Sequence, residues 1–265
     1  MAQTIAICNQ KGGVAKTTTC ISLGACFAEK GYSTLLVDLD PQANLSLAAG
    51  LKPENQESTN LADLLIEIEE SGAIEPDAYE GIEKTIHPCL DVLPTDSSLA
   101  LIEHDLYQRA GYENLLKNLL APWEEKYQYI LIDCLPSLGS LTIMALTAAQ
   151  RVLIPVQCEY LSAWGVMKLV ETIDAVREHT NPGLDYSLLV TLFDQRNRIS
   201  REVYERLREK FKDHLLENVI GLDTRLRESV VNGEPVIQYA PKTRASLQYR
   251  GLAQEWMQRY PFGGN

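Results

Sequence analysis

No stretch of about 18 consecutive apolar residues occurs in this chain, so no membrane-spanning helix is expected. None of the six cysteines (Cys8, Cys20, Cys26, Cys89, Cys134, Cys158) is spaced as C-x-x-C. That argues against a zinc or iron–sulfur centre and for small buried residues in a reducing compartment. The first apolar run starts at Thr4 and leaves no room for a signal peptide. Positive charge is scarce: 24 Lys and Arg stand against 36 Asp and Glu, for a net charge of −12. A protein that binds nucleic acid over its whole surface is thereby disfavoured. Internal repeats, low-complexity linkers and a helix-turn-helix ahead of the main pattern are also lacking. The 265 residues read as a single domain over 1–265.

The scarce positive charge is uneven. Residues 194–265 hold 13 Lys and Arg against 10 acids, whereas residues 1–193 hold 11 against 26. A local basic face near the C-terminal end is therefore allowed.

Short apolar runs alternate with segments of helical spacing. Strands are expected at 4–7, 35–37, 90–93, 129–133, 152–156, 186–193 and 218–220. Helices are expected at 18–30, closed by Gly31, and at 61–68, 98–120 (broken near Gly111 and ended by Pro122), 161–179, 200–216, 224–232 and 243–260. Residues 52–60 read as a loop, and 71–88 carry no firm pattern. This alternation implies an α/β fold, a doubly wound and mostly parallel sheet flanked by helices, with ligands at the strand C-termini.

Three of those strand ends carry chemistry. The first runs Asn9-Gln10-Lys11-Gly12-Gly13-Val14-Ala15-Lys16-Thr17-Thr18 into a helix. Glycines let backbone N–H groups point inward, and the helix N-terminus adds partial positive charge, so the segment reads as a phosphate-binding loop. Lys16 would reach the β- and γ-phosphates, and the Thr17 hydroxyl would ligate Mg²⁺. The strict G-x-x-x-x-G-K-[ST] pattern would need glycine at 10 and 15, where Gln10 and Ala15 stand. The second end is Asp38-Leu39-Asp40-Pro41-Gln42, whose two carboxylates can reach one Mg²⁺–water cluster. The third is Asp133, after four strand residues.

The loop, with Lys11 ahead of Gly12-Gly13, resembles the deviant Walker A motif of the ParA/MinD ATPases. Val37–Gln42, Ile130–Leu138, Thr191–Ser200 and the Thr224–Val236 stretch extend a resemblance to ParA/Soj-type partition ATPases over nearly the full chain. It implies a P-loop NTPase of the SIMIBI-like architecture that uses ATP and Mg²⁺. Gly12, Gly13, Val14 and Ala15 would cradle the phosphates, Thr18 would bond the α-phosphate, and the Asp194 region would frame the adenine. Asp38 would position the attacking water, with Asp40 and Asp133 holding Mg²⁺ through water. Lys11 would cross a homodimer interface to the partner's nucleotide, making Lys11, Lys16 and Asp38 the catalytic set. Hydrolysis is expected to be slow alone, because no Gln or Arg finger is evident.

The resemblance further implies nonspecific DNA binding by the ATP dimer and activation by a ParB-like or cargo-adaptor protein. The cargo would be a plasmid, a chromosome region or a protein assembly such as a bacterial microcompartment (a carboxysome, for one). The location would be cytoplasmic and nucleoid-associated. Arg196, Arg198, Arg201, Arg225, Arg227, Lys242, Arg244 and Arg250 are the candidate phosphate contacts. Three departures stand out. Ala15 replaces the usual glycine at a cost of about 1 kcal/mol if its φ is positive. Leu135 replaces a proline, and Gly221-Leu222-Asp223 replaces an Ile-Pro-Arg run. Two rivals share the nucleotide core. A MinD-like membrane ATPase would need a C-terminal amphipathic helix, which the ending Tyr260-Pro261-Phe262-Gly263 does not continue. A metabolic or iron–sulfur ATPase would need paired ligand cysteines.

Overall fold

The computed structural model describes residues 2–52, 59–71, 83–84, 87–106, 109–160 and 162–262. Most of the 52–60 loop and of the unassigned 71–88 stretch therefore lies outside the described residues. The elements run β1 (Gln3–Ile7), α1 (Lys16–Glu29), β2 (Thr34–Leu39), α2 (Asn44–Ala48), α3 (Leu61–Ser71), β3 (Glu83–Lys84), β4 (Leu90–Leu93), α4 (Leu99–Leu106), α5 (Leu115–Leu120) and β5 (Tyr129–Cys134). There follow α6 (Ser140–Ala148), β6 (Arg151–Gln157), α7 (Ser162–His179), β7 (Asp185–Phe193), α8 (Arg198–Phe211), β8 (Leu215–Gly221), α9 (Arg225–Val231), α10 (Val236–Tyr239) and α11 (Arg244–Arg259).

The strands form one sheet of eight in the order β3-β4-β2-β5-β1-β6-β7-β8. Every neighbouring pair is parallel except the two-residue β3, which runs antiparallel to β4 at the edge. A parallel sheet is covered on both faces, which is why its strands read as continuous apolar runs. The period of two still sorts the side chains. Ile5, Ile7, Leu36, Leu131, Leu153 and Leu189 pack under α1, α2, α10 and α11. Ala6, Leu35, Val37, Ile130, Ile132 and Ile154 pack under α3, α5, α6 and α7. Helix α1 is sealed on its sheet side by a stack of Phe27 on Tyr129, with centroids 4.0 Å apart and rings 14° from parallel. Gly24 lets the helix approach β2, since a Cβ there would lie 2.5 Å from Leu36 Cδ2.

Two expectations need correction. The helix expected over 200–216 ends at Phe211, and Leu215 and Leu216 open β8 instead. Their apolar pair fits either period, and the pairing of Leu188 with Leu215 decides for the strand. The helical stretch expected over 98–120 is broken near Gly111 as expected, with a 3₁₀ turn at Tyr112–Asn114 leading into α5. Its last α-helical residue is Leu120, ahead of Pro122, which lies in the 3₁₀ turn that follows, Ala121–Glu125. Helix α6 gave no helical signal because it is apolar on every side, with seven of its residues buried among α5, α7, β5 and β1.

Candidate phosphate-binding site

Parallel register brings the three strand ends together. Ile7 of β1 pairs with Asp133 of β5, and Asp38 of β2 pairs with the same Asp133. The loop after β1 thus lies beside both acidic tips. Four side-chain bonds fix its path. Asn9 Nδ2 donates to Pro155 O (2.7 Å) while its Oδ1 accepts the Lys11 N–H (2.9 Å). Gln157 Nε2 donates to Gly13 O (3.0 Å) and Thr191 Oγ1 to Val14 O (2.9 Å). These anchors come from the tips of β6 and β7, so the loop's carbonyls face the sheet and its N–H groups are left for an anion.

The loop opens on a cavity of about 600 Å³. Gly12, Gly13, Ala15, Lys16, Thr17, Thr18 and Asp40 line one end, and Leu192, Leu222, Leu226, Arg227 and Val231 the other. One end offers N–H groups, an ammonium and hydroxyls; the other offers aliphatic walls for a flat base. The turn needs two left-handed residues, Gly13 (φ 74°) and Ala15 (φ 65°). The conformation is free for glycine and strained for alanine.

The two lysines differ in direction. Lys16 is buried, and its Nζ donates to Lys11 O at 3.3 Å, inside the loop. Lys11 turns outward, where its Nζ pairs with Glu159 and donates to Gln157 Oε1 at 3.4 Å. Val14, placed among the phosphate-cradling residues, is itself buried at 1% exposure and anchors the loop from beneath.

Asp133 is fully buried, and neither carboxylate oxygen has a hydrogen bond of normal geometry, although the Thr17 side chain faces it. Burial first, and then the charge of Asp38, push its pKa well above the usual carboxylate range. Burial likewise raises Asp38 to about 7 against the bonds it accepts from Ser46 and Asp40. An orphaned buried carboxylate beside Thr17 and Asp40 fits a hydrated divalent cation held mainly by water and phosphate oxygens. Among the described residues no group of three or more His, Cys, Asp or Glu could hold a metal unaided. A Mg²⁺ there would be bound together with the nucleotide, with Thr17, Asp40 and Asp133 as its protein side.

Asp194 does not line this cavity. Its carboxylate pairs with the Arg196 guanidinium (3.0 and 3.1 Å) and faces a neighbouring cavity of about 490 Å³ that shares Leu192, Leu222 and Arg227 with the first. The candidate DNA contacts are dispersed and mostly engaged. Arg198 pairs with Glu202 and Arg225 with Glu228, Arg201 donates to Gln195 O, Arg244 to Leu222 O, and Arg250 grips Glu29. Lys242 and Arg227 make no ion pair among the described residues. Gln157, Glu159, Thr191 and Ser46 were not anticipated. Gln157 and Thr191 lie near strand ends without a charge or glycine signature, and Glu159 is a single acid two residues past β6; applying the strand-end rule to β6 would have exposed Gln157 and Glu159.

A doubly wound sheet whose central strand feeds a Lys-Thr phosphate loop, with acids on the tips of the next two strands on one side, β5 and β2, defines the chain as a P-loop ATPase. The model of the family described as "AAA domain" matches residues 2–186. The sporulation initiation inhibitor protein Soj of Bacillus subtilis is 40% identical over 256 residues, 96% of this chain and 98% of that protein. The chromosome partitioning protein ParA of Myxococcus xanthus is 39% identical over 260 residues, 96% of this chain and 88% of that protein. Among solved structures, a cobyrinic acid a,c-diamide synthase of Mycobacterium smegmatis with bound ATP analogue and magnesium is 34% identical, with a TM-score of 0.82 over 98% of this chain and 97% of that one. The chain belongs to the ParA/Soj family of P-loop ATPases.

Two outcomes follow from the site's strain and buried charge. Ala15→Gly removes the left-handed penalty but restores chain entropy, for a net stabilisation of about 0.5–1 kcal/mol in denaturant melts of the nucleotide-free protein. Asp133→Asn removes a buried carboxylate whose folded pKa is raised. The native protein therefore holds a proton that the unfolded chain releases, and this group's contribution falls as pH rises above about 4. The variant is expected to melt higher than wild type at neutral pH without nucleotide and to lose the Mg²⁺-dependent part of ATP affinity, read by calorimetry.

Proposed function

We propose that this ATPase, acting as one domain over 1–265, is an ATP-gated dimer that binds nonspecific DNA and positions or segregates a cargo. ATP binds with Mg²⁺ in the loop cavity. Asp38 positions the water, Lys16 neutralises the phosphates from within, and Lys11 reaches the partner's nucleotide. The observation that carries this reading is the outward turn of Lys11. Two lysines share one loop, yet only Lys16 lies inside it. Lys11 and Glu159 are 40% and 60% exposed, so their pair is worth at most about 1 kcal/mol and a second phosphate cluster can displace it. A lysine that completes a site on another copy makes ATP a dimerisation ligand.

The ion pairs of Arg196, Arg198 and Arg225 are similarly exposed and can be exchanged for DNA phosphates. Dimerisation doubles the number of such contacts, which makes DNA affinity depend on ATP without any new residue. Asp194 helps shape the base end through Leu192, next to it in sequence. A ParB-like or cargo-linked partner would trigger hydrolysis, and the cargo follows from that partner. A cytoplasmic, nucleoid-associated location accompanies this reading; among the described residues no helix is long and apolar enough to cross a membrane.

Lys11→Ala is expected to bind ATP but to remain monomeric with a slowly hydrolysed analogue, measured by light scattering; an ATP-bound dimer of this variant would sink the reading. Wild-type protein is expected to bind DNA of arbitrary sequence with ATP and not with ADP. That affinity should fall steeply between about 50 and 200 mM salt, in proportion to the phosphates contacted. Salt-insensitive binding, or none with ATP, would instead favour a metabolic ATPase.

A further inference from the structure

All six cysteines are free thiols, and two of them meet. Ile7 pairs with Asp133 across β1 and β5, so the residues one step on, Cys8 and Cys134, turn to the same face of the sheet, the one covered by α6. The Cys8 S–H donates to Cys134 Sγ at 2.8 Å. Among the described residues no other two cysteine sulfurs are hydrogen-bonded to each other. Neighbouring strands run about 4.8 Å apart, inside the range of about 4.4–6.8 Å that a disulfide bridges between Cα atoms. The two sulfurs need to close by less than about 1 Å to reach bonding distance.

Position gives the pair its consequence. Cys8 is the last residue before Asn9, whose side chain anchors the phosphate loop to Pro155 O and to the Lys11 N–H. Cys134 follows directly on Asp133. A covalent bond between them would tie the start of the loop to the strand end that carries the buried carboxylate, and closing it would shift both. A misplacement of about 1 Å costs up to about a hundredfold in rate where reacting groups must be held in line.

A buried thiol is ordinarily inert for want of access, and both of these are buried. Two features set the pair apart. The chain reaches the surface within two residues of each sulfur, at Gln10 and Pro136, so a local opening of either loop uncovers it. The second sulfur is already in contact, so a thiol oxidised during one opening is resolved by its neighbour before it oxidises further.

We propose that Cys8 and Cys134 form a peroxide-sensitive thiol pair that, once joined as a disulfide, switches off the ATPase by locking the phosphate loop to the Asp133 strand end. Hydrogen peroxide is the two-electron oxidant. One sulfur takes an oxygen from it as the O–O bond breaks, giving a sulfenic acid and one water. The second sulfur then attacks the first. The S–S bond forms, the S–O bond breaks, and the hydroxyl leaves with the second thiol's proton as another water. A dithiol reductant reverses the step by thiol–disulfide exchange. In a reducing compartment the pair rests as two thiols, which is the active state. A nucleotide on the loop holds both strand ends closed and slows the oxidation.

The test treats reduced wild-type protein with hydrogen peroxide and blocks the remaining thiols with an alkylating agent. Peptides are then mapped by mass spectrometry without reduction, and Mg²⁺-ATP hydrolysis is measured on the same samples. A linked Cys8–Cys134 peptide is expected, with kcat of the linked fraction lowered at least about tenfold and restored by dithiothreitol. A slowly hydrolysed ATP analogue with Mg²⁺ is expected to slow the linkage about tenfold or more. Cys8→Ser and Cys134→Ala, each compared with its own untreated activity, are expected to keep that activity through peroxide. Absence of the linked peptide overturns the proposal, and this outcome is read on the wild-type chain whatever the variants' folding. A linked peptide with undiminished hydrolysis overturns the switch. An equal loss of activity in Cys8→Ser assigns the inactivation to another residue and overturns it too. Linkage at an unchanged rate with the analogue bound overturns the nucleotide's control of the pair.

Discussion

The structure depends on one register, the parallel pairing of β1, β5 and β2 that sets Ile7, Asp133 and Asp38 side by side. An ATPase of this kind must hold a polyphosphate, a divalent cation and a water within a few ångströms. No single segment of chain can present all three sets of ligands. Neighbouring parallel strands can, because each ends on the same edge of the sheet. A one-residue slip would turn Asp133 to the other face and leave Thr17 without its acidic neighbour.

That arrangement is costly without its ligands. Two carboxylates share a buried edge of the sheet, one of them with no hydrogen bond of normal geometry. Lys16 donates to a backbone carbonyl of its own loop, and Ala15 is held at a positive φ. These are the features that a magnesium nucleotide would relieve, by supplying positive charge to the acids and acceptors to the lysine and the N–H groups. The stabilising contributions lie elsewhere, in the doubly covered sheet, the Phe27–Tyr129 stack and the helices α1 and α11 packed on one face. Strain and unpaired charge thus collect where the ligand binds, and the scaffold carries the stability.

The local solutions are specific to this chain. Gln157 and Glu159, two residues apart at the tip of β6, hold Gly13 and Lys11 respectively, so one strand end sets both the loop's path and the direction of its outer lysine. Asp38 caps α2 through Ser46 while Asp40, two residues on, lines the cavity, which ties a short helix to the strand end beside the phosphate loop. Arg227, read from sequence as a phosphate contact for DNA, lines the cavity beside Leu226.

The sequence by itself determined the fold class, the order of most elements and the residues at the three acidic or glycine-rich strand ends. Apolar runs that end in glycine, lysine or aspartate carry their meaning locally. It also fixed Lys11 as the unusual residue, since a second lysine ahead of Gly12-Gly13 is visible without coordinates. Tertiary structure alone decided the rest. Leu215-Leu216 became a strand because β7 was there to pair with it, and α6 was silent because a helix buried all round has no polar face to report. That Ala15 is left-handed, that Asp133 is buried without a hydrogen bond of normal geometry, that Arg250 is matched by Glu29 and that Ser46 holds Asp38 are facts about neighbours brought close by folding. A side chain's partner eight or 148 residues away leaves no mark on the period of the segment that carries it.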